Sequence, residues 1–97
     1  MSTLEIKKSE TGHKGMFYVG ESLQPDAAMT FTKAGDQLII IDHTEVGESL
    51  RGQGVGRQLL DEAVKMAREQ GKKIMPLCPY AKSVFQKDES IRDVLRG

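Results

Sequence analysis

Residues 50–57 read Leu50-Arg51-Gly52-Gln53-Gly54-Val55-Gly56-Arg57, three glycines at alternate positions bracketed by two arginines. Upstream, Leu38-Ile39-Ile40-Ile41 opens a strand-like run, Gln37–Val46, whose four consecutive aliphatics suit a strand covered on both faces along its first half. Downstream, Val55, Leu59, Leu60, Ala63, Val64 and Ala67 form one apolar stripe at helical spacing. That stripe predicts a helix over Gly54–Gln70, with Gly71 as its stop. A strand that enters a helix through glycines has an electrostatic consequence. The first N–H groups of the helix lack acceptors and point beyond its end. They carry the positive end of the macrodipole, worth about 0.3–1 kcal/mol to a nearby exposed anion. A loop without bulky side chains lets an anion touch those amides, and Arg51 and Arg57 add charge. The plainer alternative is a set of glycines that only permits a sharp turn.

Two common nucleotide loops do not fit. Gly47 and Gly52 have the spacing of G-x-x-x-x-G-K-[ST], but Gln53 and Gly54 stand where Lys and Ser/Thr belong. The dinucleotide fingerprint G-x-G-x-x-G fails too, because Gly52, Gly54 and Gly56 give G-x-G-x-G with Arg57 next.

Working outward toward the N-terminus, Ala34-Gly35-Asp36 reads as a hairpin turn back to a strand at Ala28–Thr32. Glu21–Asp26 reads as a loop, Met16–Val19 as a strand, and Thr11–Gly15 as a turn cluster. Leu4-Glu5-Ile6-Lys7-Lys8 alternates apolar and polar like a half-buried strand. Toward the C-terminus, Lys73–Cys78 reads as a fifth strand in which Pro76 removes a ladder donor, predicting an edge or a divergence there. Tyr80–Lys87 reads as a short helix and Ser90–Leu95 as a last helical turn or two. The order gives an α+β class, an α/β three-layer domain occupying residues 1–97 without a linker.

Composition narrows the function classes. The 97 residues suffice for one domain with a modest core. Fourteen Lys+Arg balance fourteen Asp+Glu, and only three Phe and two Tyr supply aromatic faces, which disfavours a nucleic-acid binder built on Arg51, Arg57 and Arg68. No apolar run approaches a membrane span, and Met1–Glu10 lacks the apolar region of a signal peptide. The lone Cys78 excludes an internal disulfide and suits a reducing compartment, so a cytoplasmic location is expected. No metal site is assigned.

Arg51-Gly52-Gln53-Gly54-Val55-Gly56 resembles the [Q/R]-x-x-G-x-[G/A] signature of the GNAT superfamily of acetyl-CoA-dependent N-acetyltransferases. Asp42-His43-Thr44-Glu45-Val46 and Cys78-Pro79-Tyr80 resemble the H-T-x-V and C-x-[YF] segments of a small subfamily of about this length, which lacks the N-terminal helices of larger members. The resemblance implies a mostly antiparallel sheet of about five strands, splayed between the fourth and fifth. It implies acetyl-CoA as cofactor, its pyrophosphate on Arg51, Gly52, Gln53, Gly54, Val55, Gly56 and Arg57, and its pantetheine arm along the backbone at Val46. Lys82 and Lys87 either reach the phosphates or line a solvated face.

Acyl transfer requires a base, donors for the acyl oxygen, and an acid for the leaving thiolate. In an unbulged strand His43 and Glu45 point to one face, ~7 Å apart, and either is a candidate base. The alternatives are a packed strand histidine and a solvated strand-end carboxylate, and His13 reads as surface. Cys78 is either an acetyl-accepting nucleophile or a small buried hydrophobe. Tyr80 is either the general acid or a tyrosine capping a short helix. The readings that remain are an N-acetyltransferase acting on an amine, small molecule or protein, and a non-catalytic acetyl-CoA-binding sensor or regulatory subunit. Without the larger members' helices, the acceptor site is expected to be open, either suiting a protein or polyamine end or needing a partner or a second copy to complete it.

Overall fold

The computed structural model describes residues 5–21 and 23–96. Five strands follow one another across a single sheet: β1 (Lys7–Thr11), β2 (Lys14–Gly20), β3 (Pro25–Ala34), β4 (Leu38–Val46) and β5 (Lys73–Pro76). The first four form an antiparallel meander and β5 runs parallel to β4. Helix α1 (Val55–Gln70) connects β4 to β5, helix α2 (Pro79–Lys87) follows β5, and two 3-10 segments lie at Glu48–Leu50 and Glu89–Val94. No helix among the described residues is long and apolar enough to cross a membrane.

The first strand differs from the reading of its sequence. Strand β1 covers Lys7–Thr11 and is exposed throughout, and Leu4 lies outside the described residues. The turn sets this register: only Gly12 and His13 separate β1 from β2, with Gly12 at φ 62°, so pairing starts at Thr11–Lys14 and runs back from there. Strand β5 is shorter than Lys73–Cys78. Pro76 ends it, and the N–H groups of Leu77 and Cys78 converge instead on the Ile41 carbonyl at 3.0 and 3.3 Å. The two strands therefore pair only over Leu38–Ile41, leaving Asp42–Val46 without a partner on that side. This is the expected splay.

A second irregularity lies opposite. Thr30 pairs with His43 but Phe31 pairs with Ile41, so Asp42 is an extra residue, a β-bulge. It inverts the strand's alternation. Ile39 and Ile41 face the core before the bulge, whereas Thr44 and Val46 face it afterwards and His43 and Glu45 are exposed.

All the helices gather on one face. Both β4–α1–β5 and β5–α2–Leu95, which bridges Ile74 in parallel, step in the same direction across the sheet. Right-handed crossovers then put both connections on the same side. There Phe17, Met29, Phe31, Ile39 and Ile41 pack against Leu59, Leu60, Ala63, Ala67 and Phe85 in one core. On the other face Met16, Tyr18, Ala28, Thr30, Thr32 and Ile40 are half-buried, and none is buried. The α+β class and splayed mixed sheet are as the sequence indicates, but the expected third layer has no counterpart among the described residues.

Candidate functional site

The site is assembled where the splay meets the head of α1. Alternate residues of an antiparallel strand bond the same neighbour. The Gly47 N–H donates to Asp26 on the β3 side at 2.8 Å, so Thr44 and Val46 turn their backbone groups to the gap beyond β5. Arg51 Nε donates across that gap to the Val46 carbonyl at 3.4 Å. The Thr44 side chain turns inward, its hydroxyl 3.2 Å from Cys78 Sγ.

The glycines form the opposite wall, for separate reasons. Gly52 and Gly54 adopt φ of 81° and 72°, the left-handed region that costs an L-residue about 1–2 kcal/mol, and a Cβ at either meets only open space. Gly56 has ordinary helical geometry, yet a Cβ there lies 3.0 Å from Tyr80 Cζ and 3.2 Å from its hydroxyl. Gly54 is the N-cap of α1 and supplies no side chain, and the first turn holds no acidic residue. The amides of Val55, Gly56 and Arg57 therefore lack both a helical carbonyl and a side-chain cap. They open onto a cleft of about 290 Å³ lined by Thr44, Val46, Leu50, Arg51, Gly52, Gly54 and Tyr80.

Helix α2 closes the third side. Pro79 starts it, and Cys78 caps it by accepting the Ala81 N–H at 3.4 Å. Tyr80 leans over Gly56; burial raises its phenol pKa, partly opposed by the nearby Arg57 charge. Arg57 itself turns away from the loop. Its Nε bonds Asp61 at 2.8 Å, and its other arm reaches Asp88 at the end of α2. Ser90 and then Arg57 hold the Asp88 carboxyl down from 3.8 to about 2.

Of the residues singled out from the sequence, the structure brings Val46, Arg51, Gly52, Gly54, Val55, Gly56 and Tyr80 to one cleft. Gln53 lies beside it, its amide spent on the Ser49 carbonyl at 3.1 Å. Cys78 is 4% exposed and sits behind Thr44. His43 points to the opposite face of the sheet, and Glu45 lines a neighbouring hollow of about 410 Å³ with Asp26 and Arg51. Lys82 lines a separate groove of about 530 Å³ between β5, α2 and Leu95, which touches none of the loop residues. Lys87 is exposed at the end of α2. Thr44 and Leu50 are the residues that sequence reasoning missed. Thr44 was masked by the assumption of an unbulged strand, and Leu50 carries no local signal that would place it at the cleft.

A model of the GCN5-related N-acetyltransferase family matches residues 16–94. The chain is also similar to a GCN5-like protein from Staphylococcus aureus solved by NMR, with 41% identity, a TM-score of 0.77, and coverage of 100% of this chain and 92% of that one. The chain belongs to the GCN5-related N-acetyltransferase family. Two more distant solved structures share its fold. A GNAT family acetyltransferase from Elizabethkingia anophelis with acetyl-CoA bound is 16% identical, with a TM-score of 0.59 over 77% of this chain and 52% of that one. Escherichia coli ElaA is 21% identical, with a TM-score of 0.60 over 79% of this chain and 55% of that one. The matched region spans about half the length of these two proteins. A comparison with curated proteins finds no match.

Proposed function

We propose that this protein binds acetyl-CoA in the cleft at the head of α1 and transfers the acetyl group to an amine. The observation that carries the reading is the uncapped first turn of α1 opening onto a cleft walled by side-chain-free loop, with Arg51 beside it. Backbone donors at Gly52, Gly54, Val55 and Gly56 suit a pyrophosphate: an anion there meets several amides, the positive helix end and one guanidinium. Bound acetyl-CoA supplies an activated acyl group as a thioester.

The remaining roles fall to this chain's own groups. The Thr44 and Val46 backbone edges offer hydrogen-bonding groups along the gap, and a strand amide there can orient an acyl oxygen. Tyr80 presents a phenol O–H at the cleft wall, and the upward shift of its pKa is in the direction that favours a proton donor, so it is assigned as general acid. Glu45, beside Asp26 in the adjoining hollow, is the carboxylate base nearest the cleft by residue position. Cys78 packs as a small buried side chain bonded to Thr44 and the start of α2. A second reading, acetyl-CoA binding without turnover, draws on one observation: His43 stands on the far face of the sheet from the Thr44–Cys78 pair.

Calorimetric titration with acetyl-CoA, paired with an amine screen that follows release of free CoA, separates these readings. Binding with turnover on an amine is expected; binding without turnover on any amine supports the second reading. Absence of binding by the folded protein contradicts both.

A further inference from the structure

We propose that the uncovered face of the sheet is a self-association surface, on which a second copy of this chain packs about a two-fold axis running along β3. Among the described residues no helix covers this face. Its middle strand presents Ala28, Thr30 and Thr32, small side chains that let another sheet approach closely. Met16 and Tyr18 flank them on β2, and Ile40 on β4, all half-buried with no helix of the described residues above them.

Charge is segregated across the same face. Lys7 and Lys14 stand on the β1–β2 side, Lys7 opposite Tyr18 and Lys14 opposite Thr32. Asp42 and Glu45 stand on the β4 side, Asp42 bonded to the Thr32 hydroxyl at 2.8 Å. Lys73, at the start of β5, bonds its ammonium to the Asp93 carbonyl, and His43 stands exposed between Asp42 and Glu45 on β4.

A rotation about β3 exchanges the two sides. It lays the lysine side of one copy over the carboxylate side of the other, with Thr30 near Thr30 and Ala28 near Ala28 on the axis. One surface thus serves as both halves of an isologous interface. Facing sheets pack ~10 Å apart with strands ~30° from aligned, which the small residues of β3 permit. Strands ~4.8 Å apart and about seven residues long at ~3.3 Å each give a footprint of roughly 500 Å² before side-chain relief. Specific interfaces bury about 800 Å² per partner, so a reversible, concentration-dependent dimer is expected rather than an obligate one.

Sedimentation velocity across the micromolar range tests this. The wild type should move from monomer toward dimer as concentration rises. Thr30→Arg sets a guanidinium against its own copy on the axis and should remain monomeric with an unchanged circular dichroism spectrum. Should that variant misfold, the exposed charges give the independent arm: Lys14→Glu and Asp42→Lys should each weaken the dimer, and the double exchange should restore it. A wild type that stays monomeric throughout, whether the face is idle or takes a different partner, overturns the proposal. So does a folded Thr30→Arg variant that dimerises as well as the wild type, or a double exchange that fails to restore association.

Discussion

Gly56 and Tyr80 share one space, and that fixes what each position tolerates. A Cβ at Gly56 falls 3.0 Å from the Tyr80 ring, so Gly56→Val must displace the ring from the cleft wall. Such overpacking costs about 1–3 kcal/mol. We expect lower stability in urea denaturation together with weakened acetyl-CoA binding. Gly52→Ala differs in kind: the Cβ meets nothing, and the cost is the left-handed backbone, about 1–2 kcal/mol, with Tyr80 undisturbed. Equal effects of the two substitutions on Tyr80 fluorescence would contradict this division. Tyr80→Phe keeps the ring and removes the proton donor. Binding should survive while turnover falls by about 10²–10⁴-fold, the usual weight of a general acid. Unchanged turnover would remove Tyr80 from the chemistry.

At the scale of elements, α1 and α2 are tied by Arg57, which bridges Asp61 on α1 and Asp88 beyond α2. Bonds from Ser90 and Arg57 lower the Asp88 carboxyl to about 2, so the folded state favours its ionised form. That contribution is present in full above the unfolded value near 4 and is lost as pH falls through about 2. Denaturation midpoints should therefore fall more between those pH values for the wild type than for Asp88→Asn. Parallel acid profiles would show that the bridge carries no such linkage. These elements also show what the sequence disclosed. The apolar stripe of α1, the Gly71 stop and the Pro76 divergence were legible because each follows from local spacing or a missing donor. The bulge at Asp42 was not, since an extra residue leaves no mark on a run such as Ile41-Asp42-His43-Thr44. That single residue moves His43 to the open face and brings Thr44 to Cys78. The turn of the Arg57 side chain away from the loop was not legible for a related reason: its partner Asp88 is 31 residues away, beyond the reach of any local pattern.

For the whole molecule, one set of crossovers places every helix of the described residues on one face and leaves the other without a covering layer among them. The radius of gyration, 12.7 Å, matches the ~13 Å of a compact domain of this length. The proposed association surface is that open face, while the candidate cleft lies at the sheet's splayed end. The central claim is that the uncapped amides at the head of α1 hold the pyrophosphate of acetyl-CoA. An amide-resolved NMR titration of the protein with CoA tests it most directly. The largest backbone shifts should fall on Gly52 through Arg57, followed by Thr44 and Val46 along the gap. A titration in which those amides stay still, while the groove between β5, α2 and Leu95 responds instead, would contradict it.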